Sequence, residues 1–147
     1  MPNFASAQKL QEPRQHPSLP PLVRLVSFGY LHGAPPAEAH VVFDLRTHFR
    51  DPHVSPELRA LTSSNPRVRE HVLATPGIGT LVDAITATAL AMASGPAGAD
   101  VVIAIGCSGG RHRAPTVARE VAERLEEVEG IDVQLDPRHL TRPVVER

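Results

Sequence analysis

Five apolar residues in a row, Val101 to Ile105, lead into Gly-Cys-Ser-Gly-Gly, and a helical repeat follows almost at once. The same alternation of short apolar runs and longer amphipathic stretches recurs along the chain. "LVRLVSFGY" (Leu22 to Tyr30) and "HVVFDLR" (His40 to Arg46) have the β-branched, apolar character of buried strands. About ten residues containing "APPAEA" separate them, enough for a tight crossover with one helical turn. "PRVREHVLA" reads as a short helix, and "GIGTLVDAITATALAMAS" as a longer one with Ile78, Leu81, Ile85, Ala89 and Met92 on one face. From Pro115 onwards, Val117, Val121, Leu125 and Val128 repeat at helical spacing. Arg119 with Glu123 and Glu120 with Arg124 form i,i+4 pairs on the outer side, and Gly130 is placed to end the helix. "IDVQLD" (Ile131 to Asp136) is a last short strand. Strands alternating with helices predict an α/β fold: a single three-layer domain with a small, mostly parallel sheet.

Two stretches break the pattern. Residues 1 to 21 are rich in Pro, Gln and Ser with no apolar period, and read as a disordered leader before a domain spanning 22 to 147. "THFRDPHVSPELRALTSSNP" (Thr47 to Pro66) reads as a long loop carrying Asp, Arg and His, and a loop of that length in a small domain is a candidate for function.

Composition narrows the possibilities. With 41% hydrophobic residues but four Phe, one Tyr and no Trp, the core must be aliphatic. The net charge of −1 offers no global field for nucleic acid, so any RNA contact has to come from a local patch. A single cysteine rules out an internal disulfide and Cys-based zinc sites, and the histidines show no metal-ligand spacing. No cofactor and no metal are expected. The longest apolar run is far too short for a membrane span, and the first residues lack a signal-peptide core, which together predict a cytoplasmic protein.

The chemistry concentrates on the turn after the Val101 strand. In an open parallel sheet, ligands bind beyond the carboxyl ends of the strands. Ser108, Gly109 and Gly110 allow backbone N–H groups to converge on one anion, and the following helix adds its positive end. Arg113 can fork onto two phosphate oxygens, with His112 as a donor beside it and Arg111 as a further cation on the rim. The turn is neither a Walker A loop nor a GxGxxG fingerprint. Cys107, five residues and Arg113 do match the spacing of cysteine-dependent phosphatases, in which a thiolate attacks phosphorus. Gly106 and Ala114, however, stand where such enzymes usually place His and Ser or Thr. The alternative for Cys107 is a small buried residue closing a strand. A phosphatase needs that thiol and a general acid, for which Asp51 is the available candidate; a binding module needs neither. Asp44 and Arg46, at the end of a strand, supply either a second cation with its orienting carboxylate or a structural ion pair. Arg138 and His139 either complete a basic rim or belong to a solvated tail.

The residues also carry a family likeness. "AIGCSGGRHRA" resembles the "AIGCTGG-x-HRS" turn in the C-terminal domain of the RapZ family of RNase adaptor proteins. "SFGYLHGAPPAEAHVVFDLR" and "RDPHVSPELRALTSSNPRVREHVL" are similar to two further blocks of that domain, in the same order. The resemblance covers roughly Val23 to Gln134. It implies a fold like a phosphofructokinase subdomain and a pocket for phosphate or an amino-sugar phosphate. By position that pocket comprises His53, Ser108, Gly109, His112 and Arg113. It further implies RNA contact through basic residues around the domain and a basic tail, and leaves open a protein partner and self-association. The chain departs from the pattern in three respects. Only the Pro-rich leader stands where the family has a P-loop domain, Leu31 replaces the usual lysine, and the tail "DPRHLTRPVVER" mixes acidic with basic residues.

Overall fold

The computed structural model describes residues 19–50 and 54–145. Four strands form one parallel sheet: β1 (Leu22–Gly29), β2 (Val41–Asp44), β3 (Val101–Cys107) and β4 (Asp132–Pro137), in the order β2-β3-β1-β4. Among the described residues four helices accompany them: α1 (Pro56–Ala60), α2 (Pro66–Leu73), α3 (Ile78–Ala93) and α4 (Arg113–Glu126). The chain is a single α/β domain.

Strand alternation sets the layers. Val23, Leu25, Val101, Ile103 and Ile105 point into one core with Ile78, Val82, Ile85 and Ala89 of α3 and Val117, Val121 and Leu125 of α4. Truncating one of the buried isoleucines to alanine costs about 2–5 kcal/mol in such a setting. Val26, Phe28 and Ala104, on the other face, are equally buried. There the covering layer is a loop: Tyr30 packs on Phe28 with ring centroids 4.8 Å apart, and Glu38 reaches Arg24 at 3.3 Å. The single helical turn expected between β1 and β2 is absent; residues 31 to 39 form turns, as suits a segment with two consecutive prolines.

The long loop holds a helix that its composition hides. Ser55 caps α1 by accepting the Leu58 N–H, and Asn65 caps α2 by accepting the Arg67 N–H, each followed by a proline at the first helical position. On α3 the buried stripe is Ile78, Val82, Ile85, Ala89 and Ala93, so Met92 stays partly exposed and Leu81 lies on the flank. Helix α4 opens at Arg113, two residues before Pro115, whose missing N–H costs nothing in a first turn. Arg119 pairs with Glu123 at 3.1 Å as expected, whereas Arg124 turns away from Glu120 to Asp83 of α3. Gly130 adopts the left-handed conformation, φ +83°, between α4 and β4.

Candidate functional site

The register aligns all four carboxyl ends. Gly29 lies opposite Cys107, Asp44 opposite Gly106, and Ser27 opposite Pro137. The residues that follow each strand therefore meet at one edge. The turn after β3 is packed directly on the end of β1: a Cβ added to Gly29 would lie 2.4 Å from the Gly109 carbonyl carbon, and one added to Gly110 would lie 2.7 Å from the Gly29 nitrogen. Gly110 also has φ +74°, open to glycine at little cost. A Cβ on Gly109, in contrast, would meet nothing within 4 Å.

This packing commits one side of the turn and leaves the other open. The Gly110 N–H donates to Cys107 Sγ at 3.3 Å, and the Leu31 N–H to the Ser108 carbonyl at 3.0 Å. The N–H groups of Ser108, Gly109 and His112 donate to no carbonyl among the described residues. Helix α4 starts beside them with no side-chain cap, so its positive end is also unmatched.

A cleft of about 910 Å³ opens over this turn. Arg46, Arg50, Arg59, Arg111 and Arg113 line it together with His71 and His112, and no Asp or Glu is among its described lining residues. Leu31, Phe49, Leu58, Val72, Val144 and Val145 form apolar parts of the wall. His112 is fixed by a 2.6 Å contact between Nε2 and the Leu61 carbonyl. Burial pushes its pKa below the ordinary histidine value, and the neighbouring Arg111 and Arg113 push the same way against the raising effect of the Leu61 bond. Arg113 donates to the Leu45 carbonyl at 3.3 Å.

A family model described as the RapZ C-terminal domain matches residues 21–141. The chain belongs to the RapZ C-terminal domain family. Among curated relatives, a nucleotide-binding protein of Thermobifida fusca is 38% identical over 121 residues, covering 80% of this chain and 40% of the relative. A nucleotide-binding protein of Acidothermus cellulolyticus is 39% identical over 125 residues, with the same shares. One from Thermus thermophilus is 42% identical over 107 residues, 71% of this chain and 38% of its own length. The chain thus spans about 40% of the length of these relatives.

Within this RapZ C-terminal domain the expected site residues fall into three groups. Ser108, Gly109, His112 and Arg113 line the cleft together, while Gly110 lies behind them as packing. His53 and Asp51 lie outside the described residues; Arg50 and Val54, on either side in sequence, both line the cleft. The rim residues divide. Arg46 lines the cleft but is held bidentately by Asp44, at 2.8–3.2 Å, and lies over the Tyr30 ring. That partnership holds the Asp44 carboxyl below its usual range, the Arg46 side-chain bond being the main cause. Arg111 acts as a clamp, donating to the Arg142 carbonyl at 2.7 Å and the Ala60 carbonyl at 3.1 Å. Arg138 is not among the lining residues; it joins Glu38 and Asp136 on the opposite face of the sheet. His139 is buried, 7% exposed, and so is no part of a solvated tail. Cys107 borders the cleft but is 2% exposed and belongs to the core. Arg50, Arg59 and His71 are lining residues that the sequence pattern did not single out. Arg59 was within reach, because "SPELR" begins with a helix-capping pair.

Among the described residues, no single helix is long and apolar enough to cross a membrane.

Proposed function

We propose that this RapZ-like regulatory domain binds the phosphate group of a phosphorylated small molecule, a sugar phosphate in the first instance, in the cleft over the glycine turn. The observation that carries this reading is the coincidence of free turn amides and five arginines in a cleft with no carboxylate among its described lining residues. Turn amides and the start of α4 favour an anion, and arginine forks onto phosphate oxygens. The cleft is far larger than one phosphate, so a small organic body fits beside it. The curated relatives carry the name nucleotide-binding protein, which is in keeping with a phosphorylated ligand. A cytoplasmic setting belongs to the same reading. Isothermal titration of the chain with a sugar phosphate and with inorganic phosphate tests it: saturable one-site binding supports it, and no heat with either rejects it.

Binding is favoured over phosphatase chemistry by the cysteine. Cys107 sulfur sits in the core accepting the Gly110 N–H, a bond that a serine hydroxyl can also accept. Cys107→Ser is therefore expected to keep phosphate affinity within about twofold, roughly 0.4 kcal/mol. Release of inorganic phosphate by the wild type, abolished in Cys107→Ser, would establish the phosphatase instead.

RNA contact belongs to the proposal in a weak form. Arg46 and Arg138 are matched by carboxylates, which leaves Arg50, Arg59 and Arg113 as the principal cations at the cleft. Neutralising about three phosphates of a single strand gives a slope of about −2 in log affinity against log salt. Anisotropy titrations of an RNA at several salt concentrations are expected to show this slope and competition by a sugar phosphate. Absence of binding at low salt would remove RNA from the function.

A further inference from the structure

The glycine turn is supported from behind by a histidine that lies outside the cleft lining. His139, just beyond β4, accepts the Gly29 N–H through Nδ1 at 2.9 Å. An imidazole that accepts at Nδ1 is neutral and carries its proton on Nε2. The Gly29 backbone in turn lies against Gly109 and Gly110, and a Cβ on Gly110 would come within 3.0 Å of the His139 Cβ. His139, Gly29 and the turn form one continuous stack, with the free Ser108 and Gly109 amides beyond it.

We propose that His139 is a positioning residue for the anion turn: neutral, it holds Gly29 and through it Gly109 and Gly110, and protonated, it releases them, so that anion affinity falls on acidification. This rests on the anion-binding reading of the cleft. The groups around His139 are the Gly29 N–H of β1, His32 with its ring centroid 5.3 Å away, Asp136 of β4, and Arg138 and Arg142 of its own segment. Burial, then His32, Arg142 and Arg138, hold its pKa below the ordinary value against the opposing pull of Asp136. The native state therefore takes up its proton at lower pH than the unfolded chain does. Its contribution to stability is fully present above the ordinary histidine value of about 6.5 and declines below it, and within the folded protein the bond to Gly29 is lost as pH falls through the lower native pKa. His112 acts with the opposite sign, because its protonation adds positive charge to the cleft wall.

Sulfate removes the ligand's own titration because it remains dianionic across the range, and substitution of His139 separates its effect from that of His112. Its affinity for the wild-type chain is expected to fall about tenfold between about pH 8 and pH 5 relative to a variant in which residue 139 does not titrate. His139→Leu, with no acceptor for the Gly29 N–H, is expected to bind weakly at every pH. His139→Gln, whose side-chain oxygen can accept that N–H without titrating, is expected to rescue binding and to give a flat or rising profile on acidification. A His139→Gln profile that follows the wild type from about pH 8 to pH 5 overturns the role of His139. Absence of sulfate or phosphate binding to the wild type at every pH overturns the reading of the cleft itself, and this proposal with it.

Discussion

Replacing Arg113 with alanine is expected to lower phosphate and sugar-phosphate affinity ten- to a hundredfold while the domain stays folded. Arg113 is the first residue of α4, beside the free amides of the turn, and it lines the cleft. Among the described residues its side chain makes one hydrogen bond, from Nη1 to the Leu45 carbonyl at 3.3 Å, so most of its donors remain for a ligand. Charge-assisted hydrogen bonds of that kind contribute about 1.5–3 kcal/mol each, which sets the expected range. Arg113→Lys keeps the charge but loses the planar fork, and is expected to recover only part of the affinity. Calorimetric titration of the three proteins, with thermal unfolding as the control for folding, decides the matter. Unchanged affinity in Arg113→Ala would remove this side chain from the site.

The second large effect is expected at a glycine outside the turn. Gly29→Ala places a methyl group 2.4 Å, 2.6 Å and 2.7 Å from backbone atoms of Gly109 and Gly110. Backbone on this scale does not yield by a change of rotamer, so β1 and the turn after β3 must separate. Overpacking of this severity costs about 3 kcal/mol, or about 6–12 °C in Tm for a chain of this size. Because the displaced atoms belong to the turn proposed to bind the anion, affinity for phosphate is expected to fall with stability. Gly109→Ala is the matched control: its Cβ meets nothing within 4 Å, and its Tm is expected to stay within a degree or two of the wild type. Equal melting of Gly29→Ala and the wild type would show that the close approach of the two segments is not what shapes the turn.

These two residues illustrate what local pattern reveals and what it hides. Arg113 stands in a turn whose glycines, cations and following helix are contiguous, so its place at the cleft was legible. Gly29 ends an ordinary apolar strand, and its constraint arises from a segment about eighty residues later, which no local period reports. The same distinction governs the cations. Arg46 pairs with Asp44 and Arg138 with Asp136, each two residues earlier and so within local reach, whereas only the fold brings Glu38 of the covering loop against Arg138. His139 sits in "DPRHLTR", a stretch polar enough to read as a tail, yet its ring is buried on the Gly29 backbone. Long amphipathic elements such as α3 and α4 were legible because burial follows helical period. Helix α1, at five residues, has no period to detect, and its signal is the Ser55-Pro56 pair alone.

The most direct test of anion recognition by the turn is a crystal structure of the full chain grown from phosphate. An oxyanion is expected over residues 108 to 113, accepting the Ser108 and Gly109 amides and the Arg113 guanidinium, with Cys107 sulfur still turned to the Gly110 N–H. A turn without an oxyanion in crystals that hold phosphate elsewhere would contradict the account.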